Sequence, residues 1–256
     1  MLRFLADTAG IADMELRKLR HDPIEVFTRA IQPILWLVVF GTVISRSRVI
    51  PTGGLPYLDF LTPGVLAQSA LFVAIFFGIA VIWERDLGIV HKLLVSPVSR
   101  ASLVLGKAFS AALRALTQVV IIYPVAAALG VRLRLSPLAL VGVVVLVVLG
   151  SALFATLSLI VASLVRTRER FMGIGQLLTM PLFFASNAIY PVSLMPGWLQ
   201  ALARANPLSY QVDGLRALAL DGGHSSFGLA TDLAVLALAL VVLTVIGARL
   251  YPRVAT

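Results

Sequence analysis

The sequence predicts an all-α, polytopic membrane protein with six transmembrane helices. Composition gives the first reason. Apolar residues make up 59% of the 256 and charged residues 13%, against roughly 45–50% and about 25% in a soluble domain. Mean hydropathy is +0.98, and a soluble core of this length cannot hide that much apolar surface. The second reason is spacing: apolar runs recur at a length that can cross a hydrocarbon layer of ~30 Å, about 20 helical residues. The third is charge. A net charge of +9 would suggest nucleic acid in a soluble protein, but here the positives belong to the bilayer faces and no nucleic-acid partner is expected.

The first run, 26–44, is the weakest, because Arg29, Gln32 and Pro33 interrupt it. The second, 61–83, is clean. The third, 102–129, carries Lys107, Arg114 and Gln118. The fourth, 138–165, has no charge. The fifth, 171–189, ends in Asn187 and is followed by Pro191. The sixth, 229–250, has Asp232 near its start, where the helix dipole favours an acid. No long linker or internal repeat is visible, so residues 1–256 read as a single membrane domain. No cleavable leader is expected, since the apolar run begins near Ile31, behind a charged stretch.

Lysine and arginine set the orientation. With both termini cytoplasmic, 14 of the 21 fall on inside segments and six on outside segments, Arg114 being the remaining one. An even number of spans and the charge bias agree. Two readings of Arg114 stay open. Span three begins late, near Leu113, leaving Lys107 and Arg114 on an interfacial turn, or Arg114 faces an inner polar cavity with Gln118 one turn on.

Chemistry-bearing patterns are sparse. There is no cysteine and the three histidines lie far apart, so disulfides, thiol nucleophiles and a His-rich metal site are not expected. A phosphate-cradling GxxxxGK[ST] loop is missing: Gly106-Lys107 is followed by Ala108, and Ala101 stands where its first glycine belongs. No cofactor is expected in this chain.

Three segments between or before the spans are more than connections. Residues 8–29 mix Leu16, Leu19, Ile24 and Phe27 with basic residues, which suits an amphipathic interfacial helix bent at Pro23. Residues 84–100 carry charges of both signs and apolar residues at Leu87, Val90, Leu93 and Leu94, a stripe on one face of a short surface helix that Ser96-Pro97 ends. Glu84 either braces the end of span two or pairs with Arg100. Residues 190–216 are broken by Pro191, Pro196 and Gly197 yet stay apolar, predicting short re-entrant or interfacial helices, with Trp198 and Tyr210 at headgroup level. Ala70, Ala74 and Gly78 form a small-residue stripe for close packing.

Residues 84–107 resemble the segment after the second span of type-2 ABC-transporter permeases. Glu84, Arg85, Gly88, Leu93, Leu94, Ser96, Pro97, Ser99, Arg100, Gly106 and Lys107 fit that family's pattern. Asn206-Pro207-Leu208-Ser209-Tyr210 with Gly214-Leu215-Arg216 is similar to a second family element, and Pro63-Gly64 to a third. The order is that of the family, and the daunorubicin-resistance permease group is the one most resembled.

The resemblance implies a subunit of an exporter in a bacterial cytoplasmic membrane. It implies pairing with a second permease, identical or paralogous, through spans one and five. It also implies docking on a separate ATP-binding subunit that holds ATP and Mg. Residues 84–100 would be the coupling helix, with Glu84, Arg85, Gly88, Leu93, Leu94, Ser96, Pro97 and Arg100 as its working residues. Phe72, Phe76, Arg114, Gln118, Phe183 and Asn187 are the candidates for the substrate path. Pro191, Asn206, Pro207 and Tyr210 are candidates for an outer gate. A path lined by Leu, Val, Phe and Ala suits an amphipathic or lipidic cargo: a drug, a lipid or a lipid-linked glycan. An ion-coupled secondary transporter is the alternative, but it needs buried carboxylates and inverted repeats. An intramembrane enzyme needs a converging set of catalytic side chains, and none is visible.

Overall fold

The computed structural model describes residues 23–47, 50–90, 95, 98–165 and 167–251; of residues 23–29, only the side chain of Thr28 is described. The helices among the described residues are α1 (Pro23–Leu35), a π-helical turn (Trp36–Gly41), α2 (Thr42–Ser47), α3 (Tyr57–Asp86), α4 (Arg100–Ala128), α5 (Pro137–Leu164), α6 (Arg168–Phe184), a 3₁₀ turn (Val192–Leu194), α7 (Gly197–Ala205), α8 (Pro207–Ala219) and α9 (Leu229–Leu250).

Among the described residues, five helices are long and apolar enough to cross a membrane: Ala30–Ser47, Tyr57–Asp86, Arg100–Ala128, Pro137–Leu164 and Leu229–Leu250. The fifth expected span corresponds to α6, whose 17 residues stop at Phe184. Chain beyond it turns irregular through Asn187 and Pro191 instead of continuing to 189. Span two runs further than its apolar core on both sides, so Glu84, Arg85 and Asp86 are the last turn of α3. Helix α4 starts at Arg100 and is continuous through Arg114, so Lys107 and Arg114 stand on a helix and not on a turn.

Helix starts follow the sequence. Ser99 accepts from the Ser102 amide at 3.1 Å, Ser136 from that of Ala139 and Thr167 from that of Arg170. Pro137 and Pro207 occupy first-turn positions that lose nothing by lacking an N–H.

Helix α3 is the centre of the bundle. It packs most heavily on α5 and then on α4, with α6 and α8 against it as well. Close approach requires small residues on its surface. A Cβ on Gly64 would lie 2.4 Å from the Ala188 carbonyl oxygen, and one on Gly78 would lie 2.4 Å from the Phe171 ring. The Gly78 amide donates to Ser158 Oγ of α5 at 3.0 Å, and that hydroxyl in turn bonds the Ile75 carbonyl. The Ala70, Ala74, Gly78 stripe is therefore internal packing. By contrast, α9 and the first span keep broad exposed apolar faces, among them Val39 and Val43 on one and Val241 and Val245 on the other.

Short α8 is almost wholly buried against α9, α5 and α3. Its end is tied to the α4–α5 connection by an antiparallel bridge between Leu133 and Leu220. At the same end Arg132 meets Asp59 of α3 at 3.2 Å. The bundle thus has two polar ends, one around Glu84 and one around Arg216.

Candidate functional site

At the Glu84 end, two ion pairs flank the stretch that leaves α3. The carboxylate of Glu84 accepts from the ammonium of Lys107, about two turns into α4. Lys107 is fully buried and Glu84 nearly so. A buried ion pair holds two elements in one register, because a buried Lys107 without its carboxylate would be an uncompensated charge. Lys107 thus lies inside the bundle and is a cation on Glu84, while Arg100 is exposed.

The second pair joins Asp86 to Arg168 of α6 at 2.7 Å. Arg168 also lies over the Trp83 ring at 3.6 Å, while Arg85 bonds Asp86 at 3.0 Å and the Val165 carbonyl at 3.3 Å. Sequence reading singled out Glu84 and Arg85 here but missed Lys107, Asp86 and Arg168 as partners. Opposite charges at three span ends were the available signal.

Between the two pairs the chain turns at Gly88, whose φ of +71° suits a residue without Cβ. Of the expected stripe, Leu87 is exposed and Val90 is buried. His91, Lys92, Leu93, Leu94, Ser96 and Pro97 lie outside the described residues, as does most of the expected amphipathic segment 8–29.

Within the bundle, a cavity of about 330 Å³ opens between α1 and α3. Phe72 and Phe76 line it as a stacked pair, centroids 6.0 Å apart, together with Gln32, Pro33 and Gln68. Gln68 is buried and its Oε1 has no partner among the described residues. A neighbouring cavity of about 290 Å³ shares Val73, Phe76 and Ile79 with the first and is lined further along by Arg114, whose guanidinium is 5.6 Å from the Phe77 ring. Besides Arg114, the lining of that cavity is apolar and aromatic. Gln118 is buried and lines neither of these cavities. Phe183 does not line them either. It is core, with its ring edge-on to Trp36 at 5.6 Å.

At the opposite end, α8 delivers Asp213 and Arg216 into a buried cluster. Arg216 Nη1 lies 3.8 Å from Asp213 Oδ1, and its Nη2 donates to the carbonyls of Asn187 and Phe60 at 2.9 and 3.4 Å. The guanidinium rests on the Phe60 ring at 3.8 Å. Burial brings the Arg216 pKa down to about 10, against the pull of Asp213, so it stays charged at neutral pH. The Ser225 hydroxyl spans Asp213 and Asp232 at 2.9 and 2.8 Å. Of the expected gate residues, Pro191 lines an adjoining cavity. Asn206 caps α8 through the Leu208 amide and donates to the Leu182 carbonyl. Pro207 opens α8, and the Tyr210 hydroxyl donates to the Arg204 carbonyl. Asn206 and Tyr210 thus serve the local fold, while Asp213 and Arg216 hold the cluster together.

A family model described as "ABC-2 type transporter" matches residues 10–220. The chain belongs to that family. ABC-2 relatives span several lineages. A transport permease, ycf38, of Cyanophora paradoxa is 31% identical over 82% of this chain and 72% of its own length. Nodulation protein J of Rhizobium leguminosarum bv. trifolii is 32% identical over 75% and 72%. The daunorubicin resistance ABC transporter permease protein DrrB1 of Streptomyces coeruleorubidus is 26% identical over 78% and 70%. As an ABC-2 chain, the protein is a multi-pass membrane permease, and its all-helical fold with five candidate membrane helices agrees with that.

Proposed function

We propose that this ABC-2 chain is the membrane half of an ATP-driven exporter, moved by a separate ATP-binding subunit docked on residues 84–100. The observation that carries the reading is the pair of ionic ties around that stretch. Glu84–Lys107 and Asp86–Arg168 connect the foot of α3 to α4 and α6. A push delivered between 87 and 99 then reaches α3, α4 and α6 as a rigid-body displacement rather than being absorbed in a slack loop. Leu93 and Leu94 are the apolar contacts for the ATPase, with Arg85 and Arg100 as charged ones. ATP and Mg belong to that partner.

Both termini and the Glu84 end face the cytoplasm of a bacterial inner membrane, by the lysine and arginine bias. In this reading α6 is a sixth, short span, α7 and α8 form the re-entrant segment of the outer side, and residues 8–29 are the interfacial helix. A second permease covers the face of span one and α6. Gln32 and Gln176 are exposed there, and an amide left in hydrocarbon costs a few kcal/mol. The cavity lined by Phe72, Phe76 and Gln68 lies beside that seam and takes an amphipathic or lipidic cargo.

The test is co-purification. The full chain, co-expressed with candidate ATP-binding subunits and extracted in mild detergent, is expected to retain one in stoichiometric amount. Leu93→Asp/Leu94→Asp, still monodisperse, is expected to lose it. A folded wild-type chain that retains no ATPase from any candidate would defeat the proposal.

A further inference from the structure

Ser225 stands in the connection between α8 and α9, and its hydroxyl makes three close contacts. It lies 2.9 Å from Asp213 Oδ2 of α8 and 2.8 Å from Asp232 Oδ2 of α9, and it accepts from the Gly228 amide at 2.7 Å. A serine hydroxyl has one proton to give, and an ionised carboxylate only accepts. One proton cannot serve two ionised carboxylates. One of these two oxygen–oxygen contacts therefore needs a proton from the acid itself.

The surroundings decide which acid brings it. Asp213 is furnished as an anion. Its Oδ2 also accepts from the Phe227 amide at 2.8 Å, and its Oδ1 meets Asn187 Nδ2 at 3.5 Å and Arg216 Nη1 at 3.8 Å. Asp232 is fully buried, and its Oδ1 has no hydrogen-bond partner among the described residues. An anion there would leave one oxygen bare inside the bundle. The start of α9 favours an anion, but that field places no hydrogen between Asp232 and Ser225.

No cation among the described residues stands in for the proton. Arg216 of α8 is turned to Asp213. In the connection, Asp221 meets Arg134 at 3.6 Å, and His224 lines the cavity beside Arg216 without an ion pair to either acid. Helix α5 has no titratable side chain. Helix α4, which meets α9 where Val104 faces Gly247, carries Arg100, Lys107, Arg114 and Tyr123, and none of them bonds Asp232.

We propose that Asp213 and Asp232 hold one proton between them, and that this proton latches α8 to the start of α9. Asp232 donates to Ser225, and Ser225 donates to the Asp213 carboxylate. Loss of the proton sets two anions against one hydroxyl and loosens the junction. The folded pair keeps a proton that the unfolded chain releases at neutral pH, so the latch is fully present in acid and fails as pH rises. Only its place on the outer side, under the control of external pH, rests on the exporter reading. The proton itself needs no ATPase, so either proposal can fail without the other.

The test is infrared spectroscopy of the full chain in detergent at neutral pH, where a protonated carboxyl has a C=O stretch distinct from that of a carboxylate. Such a band is expected, and Asp232→Asn should delete it, the amide nitrogen donating to Ser225 in the acid's place. Ser225→Ala, at a half-buried connection position, is the second variant and should shift the band by removing the acceptor of that proton. No such band, or one that neither variant changes, overturns the shared proton. Thermal unfolding against pH tests the latch. His224→Gln, at an exposed position, is carried in both proteins to remove the histidine's own titration. The midpoint of the chain with Asp232 is expected to fall by several degrees relative to that with Asp232→Asn as pH rises. A difference that stays constant with pH overturns the latch.

Discussion

Lys107 and Glu84, 23 residues apart, close a buried ion pair between α3 and α4. Removing Glu84 leaves Lys107 as an unpaired charge in the bundle, at a cost of about 3–5 kcal/mol, and removing Lys107 takes a buried countercharge from Glu84. Lys107→Met and Glu84→Gln are each expected to lower the unfolding midpoint in detergent sharply. The double variant should recover most of the loss, since two neutral side chains demand no compensation. A double-mutant cycle checks this, and strictly additive losses would show that the two residues are independent.

Arg168 and Asp86 make the opposite forecast. Both are about a third exposed, at 34% and 38%, so their pair should contribute less than about 1 kcal/mol. Arg168→Ala is expected to leave the midpoint nearly unchanged while reducing ATP-coupled transport in a reconstituted complex. Unimpaired transport would place the force path through α4 alone.

Gly64 should tolerate no side chain. Its missing Cβ faces backbone, the Ala188 carbonyl, which cannot rotate away as a side chain can. Gly64→Val is expected to cost about 1–3 kcal/mol of stability by overpacking, read as a lower midpoint in thermal unfolding. A wild-type midpoint would mean that the segment after α6 moves aside freely.

Gln68 should separate stability from cargo handling. Its Oε1 is buried beside Phe72 with no donor, and removing such a group gains up to about 1–3 kcal/mol of avoided desolvation. Gln68→Met is therefore expected to raise the unfolding midpoint and to weaken cargo-stimulated ATPase activity in the assembled transporter. Phe76→Ala should weaken the same stimulation without raising stability. A rise in both stability and stimulation after Gln68→Met would exclude Gln68 from the cargo site.

Long apolar spans were legible because hydropathy alone decides them: α5, with no charge, begins and ends within a residue of its apolar run. Lys107 was harder. A lysine seven residues into a helix reads as interfacial until its partner is known, and Glu84 becomes that partner only when α3 and α4 pack. The substrate-path phenylalanines divided for the same reason. Phe72 and Phe76 line a cavity while Phe183 meets Trp36, and nothing in their local sequence distinguishes an aromatic beside a void from one beside another ring. Arg216 fell within a recognisable motif, but its counter-charge Asp213 and its acceptor on Phe60 are matters of tertiary contact.

The π-helical turn at Trp36–Gly41 has a consequence for how the first span can be edited. Such a turn stores one residue more than an α-turn of the same height. Everything before it is thereby rotated by about 100° relative to an uninterrupted α-helix. Gln32 and Pro33 reach the cavity between α1 and α3, while Gly41 still abuts Leu58 and Leu61, because that surplus residue sets the phase between the two halves. Shortening the span by one residue there would keep it helical yet swing Gln32 away from Gln68, so the spare residue works as an angular setting between the membrane-buried half of the span and its entry.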